Sequence, residues 1–273
     1  MQVVTINITE QCPNRCPGCF SYKSKRYMTL EKFKTIIDKL PKVSTVTLTG
    51  GEPFIHKDLA EICKYCSENI VKPQILTSGC VLRQLDDIED YISNIIVSIK
   101  SPVPEQDATW KNNEVCKENV YKLLKEANYR GIGLGINWVV DNQNMQYLEE
   151  MVNLANEYKA TLYVIRFIPY SNISLVLSLD DEEWNEFSIK AKSYGAKIAF
   201  LSPVSYINCT AGITRINILV NGDVTPCLYL TDVVIGNLLK DDFHIIERDA
   251  HNWRYRYKRV KGCLAYKHAR GYI

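Results

Sequence analysis

The sequence predicts an α/β protein: a mostly parallel sheet wrapped by helices, followed by a small module of different character. Three observations carry that expectation. β-branched runs alternate with helix-period segments six times across roughly the first 170 residues. Asn221-Gly222 lies between two apolar runs, a strong hairpin signal because both turn positions need positive φ. A length of 273 residues suits one large domain or one domain plus an appendage.

The elements follow in order. Val3 to Ile8 reads as a strand that ends in the cysteine-rich loop Cys12 to Cys19. Leu30, Phe33, Ile36, Ile37 and Leu40 recur at helical spacing behind Thr29, a suitable N-cap. Val46 to Thr49 is a second strand, closed by Gly50-Gly51-Glu52-Pro53, and a helix over Leu59 to Ser67 leads to a third strand at Gln74 to Thr77. Ile95 to Ile99, Gly133 to Val140 and Thr161 to Ile168 supply strands four to six, with helices near Val115 to Ala127 and Tyr147 to Tyr158 between them. Six such units fall short of the eight of a complete TIM barrel. In a parallel sheet of this kind ligands bind at the carboxyl ends of the strands. Asp180 to Tyr194 adds a helix. From about Cys209 the pattern changes to the hairpin arms Ile213 to Val220 and Val224 to Leu230, which predicts a division into residues 1–200 and 201–273.

Composition narrows the function classes. With 33 basic and 31 acidic residues the net charge is +2, so no global field favours nucleic acid or an anionic membrane. No apolar run approaches a membrane span and no signal peptide opens the chain, which predicts a cytoplasmic protein. Ten cysteines in such a compartment point to metal ligands or reactive thiols rather than disulfides.

Cys12, Cys16 and Cys19 fall within eight residues just after a strand, and Pro13, Pro17 and Gly18 keep the loop out of a helix. A structural zinc site takes four ligands in paired-cysteine spacing. Three thiolates in one loop suit three corners of a [4Fe–4S] cube with the fourth iron open. This C-x3-C-x2-C loop resembles that of the radical S-adenosylmethionine (SAM) superfamily. The resemblance implies a partial (β/α)6 barrel and reductive cleavage of SAM to a 5′-deoxyadenosyl radical that takes hydrogen from a substrate C–H bond. It also implies an external low-potential electron donor such as flavodoxin or ferredoxin. Gly50, Gly51, Glu52 and Pro53 are similar to the family's GGE element, which meets the methionine amino group. Thr77 and Ser78 occupy its third-strand turn. Ser98 and Asn137 resemble its ribose and carboxylate contacts, with Arg166 a further carboxylate candidate. The family carries a bulky residue before the third cysteine to pack on adenine; Gly18 stands there, which leaves Phe20 as the stacking candidate.

A second set is Cys209, Cys227 and Cys263. A hairpin turning at Asn221-Gly222 puts Cys227 opposite about Ile216, so Cys209 overshoots by roughly 23 Å unless the chain doubles back at Ala211-Gly212. C-x12-G-x4-C, with Val224 to Cys227, Ile235 to Leu238 and Lys261-Gly262-Cys263, resembles the SPASM/twitch modules appended to radical SAM enzymes. That implies one auxiliary [4Fe–4S] cluster with three visible ligands. Its fourth iron is open, or bound by His268 or a cysteine from elsewhere; the bland alternative is three buried thiols.

Cys63, Cys66 and Cys116 read as packing residues. Cys80, behind Ser78-Gly79 at a strand end, is a candidate hydrogen-atom donor to a substrate radical, or else a bystander. Arg254 to Lys261 forms a basic, aromatic stretch, read as a solvated helix face or as a grip for an acidic peptide or nucleic acid. The first functional expectation is an oxidoreductase-type radical enzyme that matures a ribosomally made peptide. The alternative is a dehydrogenase or epimerase of a sugar or nucleotide-derived small molecule, and the third is a non-enzymatic iron–sulfur or zinc protein.

Overall fold

The computed structural model describes residues 1–16, 19, 21, 23–102, 114–169, 173–195, 197–201 and 209–273. Gly18 and Phe20 lie outside them.

Six parallel strands form the body: β1 (Val3–Thr9), β2 (Thr45–Gly50), β3 (Gln74–Thr77), β4 (Asn94–Ser98), β5 (Gly133–Val140) and β6 (Thr161–Arg166). They pair in chain order, with helices α1 (Leu30–Lys39), α2 (Leu59–Asn69), α3 (Glu114–Tyr129) and α4 (Leu148–Glu157) returning the chain between them. β7 (Ile198–Phe200) extends the far edge parallel to β6, after α5 (Asp181–Lys192).

Two of the helices, α1 and α5, start where the sequence supplies a side-chain acceptor. The Thr29 side chain accepts from the Lys32 amide at the head of α1, and Asp180 and Glu183 form a reciprocal capping box at the head of α5. α1 buries Phe33, Ile36 and Ile37 in the hydrophobic core that also holds Val4, Ile6 and Ile8 of β1. At the other end Trp138 of β5 packs edge-on against Phe187, which stacks on Trp184 of α5 at 5.7 Å between centroids.

The C-terminal module does not build a sheet of its own. β8 (Arg215–Ile218) pairs in parallel with β1, Val3 facing Arg215 through Ile6 facing Ile218. β9 (Asp223–Thr225) and β10 (Gly236–Asn237) continue outward antiparallel. One sheet of ten described strands results, in the order β10-β9-β8-β1-β2-β3-β4-β5-β6-β7. The hairpin arms are shorter than their apolar runs. β9 stops before Pro226, which has no N–H for a ladder, and Ile213 and Thr214 turn back to bond Thr210. Asn217 faces Thr225, so the register brings Cys227 opposite Arg215, one residue from the expected Ile216. The expected reversal is at Ala211-Gly212: the Gly212 amide bonds both Arg215 O (3.0 Å) and Pro226 O (3.1 Å). Beyond the hairpin come α6 (Phe243–Arg256) and α7 (Leu264–Ala269).

Candidate active site

In parallel strands, register partners project on the same face of the sheet. One face carries Asn7 opposite Thr49, Thr5 opposite Thr47, and Ser98 opposite Asn137 opposite Tyr163. This polar face is the inside of the partial barrel. The other face carries Ile95, Ile136 and Trp138, fully buried in the hydrophobic core.

The cysteine loop leaves β1 at its carboxyl end and is pinned at its neck. Arg26 forks onto Glu10 with bonds of 2.8 and 2.7 Å, Ser24 Oγ adds 2.5 Å to the same carboxylate, and Met28 N returns to Ile8 O at 2.7 Å. Inside the loop the Cys19 amide bonds Cys16 O and the Arg15 guanidinium bonds Cys12 O. The neighbouring β2 exit locks onto it through Gly51 N to Thr9 O (2.6 Å) and Glu52 N to Gln11 O (2.7 Å). A Cβ on Gly51 would lie 2.0 Å from Gln11 O, so only glycine permits this contact.

Glu52 is the best-held side chain in the site. Its carboxylate is fully buried; Oε1 accepts from Thr77 Oγ1 (2.6 Å) and Phe54 N (3.0 Å), Oε2 from Ser78 Oγ (2.5 Å) and Ser78 N (2.9 Å). Gly50, Gly51, Glu52, Pro53, Thr77 and Ser78 thus converge at the ends of β2 and β3. Glu52 and Cys12 are close enough that its charge helps burial hold the Cys12 thiol above its ordinary value. Ser98 and Asn137 touch, Nδ2 to Oγ at 3.4 Å, on the inner face.

Residues that sequence reasoning passed over complete this end of the barrel. The Lys23 ammonium faces Cys12, Cys16 and Cys19 together, and their charges hold its pKa above the usual value against burial. Among the described residues, Asn14 Nδ2, Asn7 Oδ1 and Asn217 Oδ1 are buried and meet no hydrogen-bond partner. Orphaned polar atoms of this kind at the mouth of a polar barrel fit a polar ligand. Tyr163 lies beside Asn137 across Gly135, where a Cβ would meet its ring at 2.5 Å. Strand alternation could have found Tyr163 and Asn217; Lys23 is visible only once the loop's path is known.

Four expectations change. Arg166 pairs with Val140, three residues from Asn137 and therefore on the opposite face. Its guanidinium bonds Asp181 Oδ1 and Leu179 O, both at 2.6 Å, and stacks on Tyr266 at 3.6 Å, so it joins β6 to α5 and α7 rather than reaching a SAM carboxylate. Cys80 turns outward to α3, where it forms a disulfide with Cys116; in that state it has no S–H to give. Cys116 is thereby more than a packing residue. Arg254 also departs from the solvated-face reading: it is buried and donates to Cys209 O and Tyr257 O.

Cys209, Cys227 and Cys263 come together behind α7. Burial, with a smaller contribution from Cys209, pushes the Cys227 thiol up to about 11, and burial with contributions from Cys209 and Cys227 pushes the Cys263 thiol up to about 12. The amides of Ala265 and Tyr266 face the Cys263 sulfur, those of Leu228 and Tyr229 face Cys227, and both pairs favour the thiolate. Amides aimed at sulfur suit an iron–sulfur centre, whose potential depends on such contacts. His268 is engaged with Asp232 at 2.8 Å. Among the described residues no three His, Cys, Asp or Glu side chains close tightly enough for a single ion.

Comparison with known proteins agrees with this layout. The sequence profile of the radical SAM superfamily matches residues 6–155, and that of an iron–sulfur cluster-binding domain, SPASM, matches residues 209–265. The chain is 24% identical over 261 residues to the antilisterial bacteriocin subtilosin biosynthesis protein AlbA of Bacillus subtilis, covering 89% of this chain and 58% of AlbA. It is 26% identical over 260 residues to the probable GTP 3′,8-cyclase of Methanocaldococcus jannaschii, covering 85% and 87%. Among solved structures, Streptococcus suis SuiB bound to its precursor peptide SuiA superposes with a TM-score of 0.71 at 20% identity, over 88% of this chain and 63% of SuiB. The chain therefore spans about three-fifths of the length of AlbA and of SuiB. No described helix is long and apolar enough to cross a membrane.

Proposed function

The chain belongs to the radical SAM superfamily, and on that premise we propose that it modifies a ribosomally made peptide by hydrogen abstraction from a C–H bond. The observation that carries the SAM half of this reading is the fully buried Glu52 with its four donors, locked against the cysteine loop. Cys12, Cys16 and Cys19 would hold the [4Fe–4S] cluster, which would supply the low-potential electron for reductive cleavage of SAM. The residues of this chain do the rest. Glu52 receives the methionine ammonium, since a desolvated carboxylate already fixed by neutral donors offers its charge to a cation without reorganising. Lys23 offsets the negative charge gathered by three thiolates. Ser98 and Asn137, on the inner face of the barrel, take the ribose and carboxylate. Cys209, Cys227 and Cys263 hold an auxiliary cluster, the module over 201–273 being the part that carries it and 1–200 the barrel. An external low-potential carrier such as flavodoxin or ferredoxin feeds the electrons.

Similarity to AlbA and to a SuiB structure with its precursor peptide supports the peptide class. A second reading, a small nucleotide-derived substrate, is favoured by one observation: the match to the GTP 3′,8-cyclase covers 87% of that protein. The test is anaerobic turnover with SAM and reductant in the presence of a short peptide encoded beside the gene, or of GTP. A peptide mass change of whole hydrogens, with 5′-deoxyadenosine in step, supports the first reading; turnover with GTP alone replaces it with the second.

A further inference from the structure

The loop that follows β3 works at both ends. Inward, Ser78 binds Glu52 Oε2 through its amide and its hydroxyl. Outward, Cys80 is joined to Cys116 in the first turn of α3, with Cα atoms 4.1 Å apart, and Asn119 of the same helix donates to Cys80 O at 2.7 Å. Gly79 between them lies against Val120 of α3. The two ends communicate directly: the Cys80 amide donates to Ser78 Oγ (3.3 Å), and that hydroxyl donates to Glu52. The cysteine pair is thus one hydrogen bond removed from the hydroxyl that holds the buried carboxylate. Cys63 and Cys66, buried on α2, are free thiols, so burial alone does not produce the bond.

We propose that Cys80 and Cys116 are a redox-responsive staple whose oxidation fixes the Glu52 cradle and tightens SAM binding, and whose reduction loosens it. The oxidant is a low-molecular-weight disulfide. The thiolate of one cysteine attacks it and releases one thiolate, and the other cysteine then attacks the mixed disulfide and releases the second. The protein gives up two electrons and two protons, and the small disulfide becomes two thiols; a dithiol reductant reverses the exchange. The bond closes a loop of sequence separation 36 and removes the freedom of the β3 exit to part from α3. Such pairs in reducing surroundings are usually transient and redox-sensing, which suits a switch better than a permanent brace. The consequence for SAM rests on the reading of Glu52 above; the existence of the exchange does not.

The experiment uses the whole reconstituted chain under anaerobic conditions, poised in glutathione buffers of different ratio. Alkylation and peptide mapping read the state of Cys80 and Cys116, and equilibrium dialysis reads SAM affinity at each poise. The expected result is a Cys80–Cys116 disulfide at oxidising poise and SAM binding at least threefold tighter there than at reducing poise. Cys116→Ser and Cys116→Ala are both expected to hold the reduced-state affinity at every poise with iron content unchanged. A pair that never oxidises, or equal affinity at both poises, overturns the proposal. Failure of the Glu52 reading shows separately, as Glu52→Gln that binds SAM like wild type.

Discussion

Ser78 grips one oxygen of the Glu52 carboxylate twice, by its amide at 2.9 Å and its hydroxyl at 2.5 Å. Hydrogen bonds to a buried charge are worth about 1.5–3 kcal/mol each, more than neutral ones. Removing the hydroxyl in Ser78→Ala should therefore destabilise the fold by about 2 kcal/mol in chemical denaturation. Calorimetric titration should show SAM affinity falling about tenfold, since about 1.4 kcal/mol of lost orientation suffices for that. Unchanged affinity would detach Glu52 from the ligand.

The two cysteine sets should lose iron independently. Changing Cys12, Cys16 and Cys19 together to Ala should remove about four of eight irons per chain and leave the rest; changing Cys209, Cys227 and Cys263 should do the reverse. Iron and sulfide analysis of anaerobically purified protein checks this. Loss of all iron from either variant would mean that the sets act as one site.

Arg166 and Tyr266 tie the carboxyl end of the barrel to the helix that begins behind Cys263. The stack at 3.6 Å is supported by Tyr266 Oη to Leu179 O at 3.0 Å and by Lys267 to Asp181 at 3.0 Å. Arg166→Met leaves the apolar stack but removes the bonds to Asp181 and Leu179, at a cost of about 2 kcal/mol. Tyr266→Phe should cost about 1 kcal/mol. Both should broaden the paramagnetic resonance spectrum of the auxiliary centre and leave SAM affinity intact. Weaker SAM binding in Arg166→Met would restore the carboxylate-contact role.

These particulars show what was readable in the chain. β3 and β5 were legible to the residue because turn formers bound them: Pro73 and Ser78-Gly79 around Gln74–Thr77, and Gly131 to Gly133 before Val140. The cysteine loop and Gly50 to Glu52 were legible because spacing along the chain is the whole signal. Arg166 was misread because face depends on register: a one-residue change of phase exchanges barrel interior for helix layer. Lys23 and the Cys80–Cys116 bond depend on how segments separated along the chain meet, and no local pattern encodes that. The hairpin arms overran because apolar runs continue past the point where Pro226 ends the ladder.

Stability should also depend on pH through His56. Its Nε2 lies 2.9 Å from Met28 O and its Nδ1 accepts from Asp58 N at 3.1 Å, so the network assigns a neutral ring with the proton on Nε2. Burial lowers its pKa from 6.5. The unfolded chain therefore takes up the proton first, and stability is lost as pH falls through about 6.5, by up to about 1.4 kcal/mol per unit. Urea denaturation of wild type and His56→Gln between about pH 7.5 and 5.5 should show the gap between them narrowing as pH falls; a constant gap would mean that His56 keeps its ordinary pKa.

The central claim is that the loop of Cys12, Cys16 and Cys19, together with Glu52, forms a SAM-cleaving site. The direct measurement is 5′-deoxyadenosine production by anaerobically reconstituted protein given SAM and dithionite. The account predicts product from wild type, none from the Cys12, Cys16 and Cys19 triple alanine variant, and strongly reduced product from Glu52→Gln at unchanged iron content. Fully iron-loaded wild type that binds SAM yet yields no 5′-deoxyadenosine, or a triple variant that still yields it, would contradict the account.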